Sequence, residues 1–173
     1  MKWLSAVLFL ALIACATTPA PTAHRGFTGT WALNYEQSDS VRDAVKRVFT
    51  ASGSNDSADA REQLSDRLER VLRASELIDM KQVGARLTVS DGAGMTRVVY
   101  TDSKIPKRKD PKAVPFTWDG ERLIFDLSSP QTGIMRETYE LGDAGTQLIV
   151  TTELVLTRLP KPLLIRRAYD KEL

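Results

Sequence analysis

Histidine and cysteine each occur once in the 173 residues, as His24 and Cys15. A catalytic triad, a histidine-containing metal cluster or histidine general-base chemistry therefore lacks its central component in the chain beyond residue 24. Nucleophile-elbow, phosphate-loop and dinucleotide-binding patterns are not found, and Gly84, Gly92, Gly94 and Gly133 read as turn residues. Carboxylates remain, in Asp119, Glu121, Asp126, Glu137, Glu140 and Glu153, and glycoside hydrolysis needs only two. Glu137 shares the alternation of Met135, Tyr139 and Leu141, so it is the acid expected to point inward. Burial would demand a partner for it, from Arg97, a neighbour of Arg136 or a tyrosine. An ion pair is its expected role, and the sequence assigns no catalytic residue, metal site or cofactor.

Two other groups of residues are suited to binding. Trp31, Leu33, Tyr35 and Tyr100, together with Phe116, Trp118, Phe125 and Tyr139, are the candidate lining of an apolar ligand cavity, against the alternative that they simply fill a core. The basic run Lys104, Lys107, Arg108, Lys109 and Lys112, with the single acid Asp110 inside it, is a candidate patch for lipid phosphates, an acidic polymer or an acidic protein face. The alternative is a solvated loop. Arg166-Arg167 is similarly open. A formal charge of only +2 gives no global attraction to nucleic acid, and neither a recognition helix nor a basic strand interleaved with aromatics is evident.

The first residues carry a targeting signal. Met1-Lys2-Trp3, an apolar run over 4–14 and then Cys15 have the layout of a signal peptide, too short to span a bilayer as a mature helix. Leu12-Ile13-Ala14-Cys15 resembles the bacterial lipobox, which implies removal of 1–14 and lipidation, palmitate included, at Cys15. The alternative is an ordinary signal cut near Ala16-Thr17-Thr18. Ala16 stands where an inner-membrane retention signal would have an aspartate, so the resemblance implies a lipid-anchored protein on the periplasmic side of a Gram-negative outer membrane. Several acyl chains anchor strongly, at about 0.8 kcal/mol per buried methylene. Residues 15–26 then form the lipidated N-terminus and a flexible tether, and 27–173 have the length of one domain.

That domain reads as mostly β. Trp31, Leu33 and Tyr35 alternate with Ala32 and Asn34 in a first half-buried strand within 27–35. The period then changes. Ser38, Asp39 or Ser40 can cap a helix over 41–49, and the stripe of Ala60, Leu64, Leu68, Val71, Leu72 and Ser75 predicts a second, so an amphipathic helical insertion spans about 40–75. Alternation returns at 77–83, 87–90 and 95–101, then at 116–118 and 122–127, where Asp119-Gly120 suits a type I′ hairpin. Residues 133–141 and 147–156 flank a second turn at 142–145, and 163–169 supply a last strand. Such density of hairpins predicts an antiparallel meander, and curling into a barrel would remove its exposed edges.

Gly29-Thr30-Trp31-Ala32-Leu33-Asn34, Phe116-Thr117-Trp118-Asp119-Gly120 and Arg136-Glu137-Thr138-Tyr139-Glu140-Leu141, followed by Gln147-Leu148-Ile149-Val150-Thr151-Thr152, resemble in this order a broad group of exported bacterial lipocalin-like (calycin-like) lipoprotein domains of unassigned function. The resemblance covers about two thirds of the chain after 1–14. It implies an all-β, antiparallel, up-and-down barrel or half-barrel with Trp31 closing one end, here carrying a two-helix insertion after the first strand. Classical lipocalins carry small apolar ligands, and with no histidine, metal or nucleophile constellation in the domain the expectation is a non-enzymatic role, non-covalent binding of a lipid or small apolar ligand. The alternative is a ligand-free envelope protein that contacts another protein or the membrane face, and a carboxylate-based hydrolase is the third reading.

Overall fold

The computed structural model describes residues 25–52, 57–92, 94–100, 114–130 and 133–172. Cys15, His24 and the basic run over 104–112 lie outside them. The elements are β1 (Gly29–Asn34), α1 (Val41–Ser52), α2 (Ala58–Val71), β2 (Leu77–Val83), β3 (Arg86–Asp91), β4 (Thr96–Tyr100), β5 (Phe116–Asp119), β6 (Arg122–Asp126), β7 (Ile134–Gly142), β8 (Gln147–Val155) and β9 (Leu163–Lys171). All nine strands form one sheet in the order β4-β3-β2-β1-β9-β8-β7-β6-β5, and every pairing is antiparallel. The last strand returns to pair with the first, placing β1 in the middle of the sheet. Arg97 of β4 reaches Glu137 of β7 and the ring of Phe125 of β6. Only a sheet curled onto itself brings its first and last thirds into such contact. The result is a nearly closed antiparallel barrel with two helices inserted after β1, as the strand and helix patterns predict.

Local chemistry explains the hairpins. Val83 pairs with Arg86 and Asp119 with Arg122, which leaves the two-residue loops Gly84-Ala85 and Gly120-Glu121. Gly84 (φ 59°) and Gly120 (φ 62°) take up the left-handed backbone, whereas among the described non-glycine residues only Ala144 does. A type I′ turn needs positive φ at both central residues. The I′ turn expected at Asp119-Gly120 is therefore corrected to a two-residue loop one position later, Gly120-Glu121, which has positive φ at its first central residue alone and so is not of type I′.

Period-2 alternation then sorts side chains between the two faces. Trp31, Met80, Leu87, Leu123, Phe125 and Leu148 are buried at the centre of one apolar cluster inside the barrel. A second cluster lies toward the other end of the same face, where Leu154, Leu163 and Ile165 meet Val45 and Phe49 of α1, Leu68 of α2 and Leu72 just past the end of α2. The helical hairpin is thus a plug over one mouth of the barrel. Ser40 caps α1, accepting from the Asp43 N–H at 3.0 Å while its hydroxyl donates to the Asp43 carboxylate at 2.7 Å. Ser57 caps α2 by accepting from the Ala60 N–H at 3.2 Å. The buried face of α2 is centred on Ser65, Leu68 and Leu72. Ala60 and Val71, counted in the apolar stripe, are exposed because α1 packs on the Ser65 side. Among the described residues no helix is long and apolar enough to cross a membrane.

Candidate functional site

Between the apolar cluster and the helical plug the barrel is incompletely filled. A cavity of about 130 Å³ opens there, walled by Ile78, Val89, Val150 and Met135 and roofed by Leu72 at the end of α2. Glu137, Tyr139, Thr152 and Arg167 of its polar lining come from three neighbouring strands whose register places them side by side. Glu137 is paired with Thr152 across β7 and β8, and Thr152 with Ile165 across β8 and β9. One step along, Tyr139 is paired with Val150 and Val150 with Arg167. Arg97 approaches this ladder from β4, across the curl of the sheet.

Arg97 and Glu137 make the central ion pair, Nη1 to Oε2 at 2.5 Å, with side chains 13% and 12% exposed. The Tyr139 hydroxyl donates to the same Oε2 at 3.1 Å, and Arg97 Nη1 lies 3.4 Å from the Tyr139 oxygen. The guanidinium also stacks over Phe125, 5.4 Å from its ring centroid, and Phe125 meets Tyr139 edge to face at 5.3 Å. Burial is the largest single influence and works against the Arg97 cation, but the Glu137 charge, the Tyr139 oxygen, the hydrogen bond to Glu137 and the Asp91 charge together outweigh it and hold the guanidinium pKa above its ordinary value. Burial first, and then the Glu137 charge, push the Tyr139 hydroxyl well above the usual phenol range. Tyr139 therefore remains a proton donor, and Glu137 is held as an acceptor between a cation and a phenol.

Arg167 lies beyond Val150. It is 8% exposed, and its Nη2 donates to the Leu72 carbonyl where α2 ends. Tyr169, the next residue on that face, has its hydroxyl pushed up to about 12 by burial, opposed by the Arg167 charge. Thr152 is 1% exposed, and its Oγ1 has no hydrogen-bond partner among the described residues. Arg73 and Asp91 complete the charged lining, and Asp91 Oδ1 accepts from the Met95 N–H at 2.7 Å.

Of the aromatic and apolar residues singled out in the sequence, Tyr139 alone borders this cavity. Trp31 and Phe125 are packed within the apolar cluster, with Leu33, Phe116 and Trp118 partly buried against it. Trp31 donates its indole N–H to the Phe27 carbonyl at 3.0 Å, and the Lys171 ammonium stands 5.1 Å from its ring centroid. Tyr35 lies just past the end of β1 and is 69% exposed, outside the interior. Tyr100 is half-buried at the end of β4, opposite Arg86. Of the other acids, Asp119 pairs with Arg122 and Glu153 with Arg136.

Sequence reasoning anticipated the inward Glu137 and named Arg97 and a tyrosine as partners. It passed over Thr152 and left Arg167 open. The signal available for them was parity, since Thr152 alternates with Val150 and Leu154, and Arg167 with Ile165 and Tyr169. Fold and site together define a class: a nearly closed, helix-plugged antiparallel barrel with a charged pocket beneath the plug. No family model, curated protein or solved structure matches the chain.

Proposed function

We propose that this chain is a lipocalin-like envelope lipoprotein, held through Cys15 on the periplasmic side of the outer membrane, whose barrel binds a small ligand non-covalently beneath the helical plug. The observation that carries the reading is the cavity itself, where an apolar wall and a few convergent polar groups meet in one interior space. At about 130 Å³ it falls short of the roughly 300 Å³ at which drug-sized pockets begin. It suits a short chain or a headgroup better than a whole lipid. The reading is one of binding without catalysis, with Glu137 serving the ion pair.

Gentle extraction of the full-length protein from its envelope, followed by native mass spectrometry, tests this. A stoichiometric small adduct that is lost when the cavity is narrowed by Val150→Phe supports it. Bare protein from both forms overturns it.

A second reading, a ligand-free partner of another envelope protein or of the membrane face, draws on the filled half of the barrel, where Trp31, Leu87, Leu123 and Phe125 leave no exposed surface. A polypeptide retained in the same extraction, with no small adduct, would favour it.

A further inference from the structure

Charge carries the reading of the cavity further. Five side chains that are charged at neutral pH line it: Arg73, Asp91, Arg97, Glu137 and Arg167. Three cations face two anions, so the lining holds one positive charge in excess. Arg97 and Glu137 neutralise each other in direct contact, while Arg73 is exposed and Asp91 half-buried, where water screens both. The excess therefore falls on Arg167. It is more than nine-tenths buried, and among the described residues no carboxylate lies within ion-pair distance of it. A guanidinium carries five N–H donors. The Leu72 carbonyl takes one of them, and capping the end of α2 accounts for no more than that.

Thr152 supplies an independent observation. A buried hydroxyl without a partner is costly, and this one lies diagonal to Arg167 on the same face, lining the same cavity. An acceptor oxygen placed between them would satisfy both. Ile78, Val89 and Val150 give the same cavity an apolar side.

We infer that the occupant is a small monoanionic carboxylate with a short apolar body, its carboxylate held by the Arg167 guanidinium and the Thr152 hydroxyl and its body lying against Ile78, Val89 and Val150. The inference rests on the reading of the cavity as a binding site. A single negative charge cancels the excess, and a planar carboxylate fits the guanidinium fork. A phosphate dianion would leave a net charge of opposite sign in a poorly solvated space.

The test uses the full-length protein in nanodiscs, with empty nanodiscs as the blank, and three probes: hexanoate, hexan-1-ol and inorganic phosphate. Hexanoate is expected to bind one to one and about tenfold or more tighter than the alcohol, as a charge-assisted hydrogen bond implies. Arg167→Met should abolish that preference while leaving the alcohol's affinity in place, and Thr152→Val should weaken hexanoate severalfold. Should Arg167→Met not fold, Arg167→Lys provides the second variant and should keep a reduced preference for the carboxylate. Equal binding of hexanoate and hexan-1-ol, insensitive to both variants, would overturn the anion site while leaving the binding reading standing. Phosphate that displaces hexanoate would overturn the carboxylate assignment. Failure of all three probes would overturn the inference, and the presence or absence of an adduct on the extracted protein then separates that failure from failure of the binding reading.

Discussion

The interior of this barrel has two ends, built from the same alternating strands and filled in opposite ways. Around Trp31 the inward rows of β1, β2, β3, β6 and β8 supply tryptophan, phenylalanine, leucine and methionine, which leave no surface to solvent. Under the helical plug the inward positions of β4, β7, β8 and β9 supply Arg97, Glu137, Thr152 and Arg167, and a cavity opens. The first end is stabilised by non-directional burial, at about 25 cal/mol per Å² of apolar surface. The second depends on pairing, because buried charge is tolerated only where a partner repays its desolvation. One end therefore secures the fold, and the other retains groups that the fold alone leaves partly unsatisfied.

Truncation at the apolar end should give the largest effect. Trp31→Ala removes a fully buried indole and its hydrogen bond to the Phe27 carbonyl. It is expected to cost about 3–5 kcal/mol in urea unfolding; a loss below about 1 kcal/mol would mean that this end is not the stabilising core.

At the charged end Arg97→Met leaves Glu137 buried without its cation and should cost about 3 kcal/mol. The double variant Arg97→Met/Glu137→Leu should return to within about 1 kcal/mol of the parent, since apolar replacement of a buried pair is often neutral. A double variant no better than the single would show that the pair does more than compensate itself.

Alkaline unfolding gives the next contrast. Tyr139 and Tyr169 both ionise at higher pH in the folded chain than in the unfolded one, Tyr169 at about 12 and each chiefly because of burial. Their contribution is fully present below about pH 10. Above it the unfolded state binds fewer protons, so stability falls as pH rises, by about 1.4 kcal/mol per pH unit for each tyrosine until its folded pKa is reached. Tyr139→Phe should flatten the decline between pH 10 and 12, as followed by urea unfolding at fixed pH. An unchanged slope would place that titration elsewhere.

The smallest effect has the opposite sign. Thr152→Val removes the buried hydroxyl that has no partner among the described residues and should stabilise the ligand-free protein by about 1 kcal/mol. Destabilisation of that size would reveal a bond to the hydroxyl and weaken the case for a ligand there.

Much of the architecture could be read before any coordinates. The alternation over 77–83 corresponds to β2 without change, and 133–141 and 147–156 correspond to β7 and β8 to within a residue at each end. Glu137 was visible as an inward acid because it keeps step with Tyr139 and Leu141. Thr152 and Arg167 were hard to see because each adjoins a residue of its own kind, Thr151 and Arg166. Composition is blind to the face each occupies, and only a fixed register makes Arg166 exposed and Arg167 buried. The face of α2 was misread in part for a related reason: a stripe of apolar residues gives a direction around a helix, but the position of α1 selects Ser65 over Val71.

The sequence by itself determined the period of each segment, the turns between them and the change to a helical pattern after the first strand, because these depend on neighbours a few residues apart. Tertiary structure decided that β9 returns to β1, that the sheet curls until Arg97 meets Glu137, and that the helices stop short of filling the space beneath them. Those outcomes join residues far apart in the chain, such as Arg97 with Glu137 and Leu72 with Arg167, and no local pattern encodes a contact whose partner is set by the packing of the whole sheet.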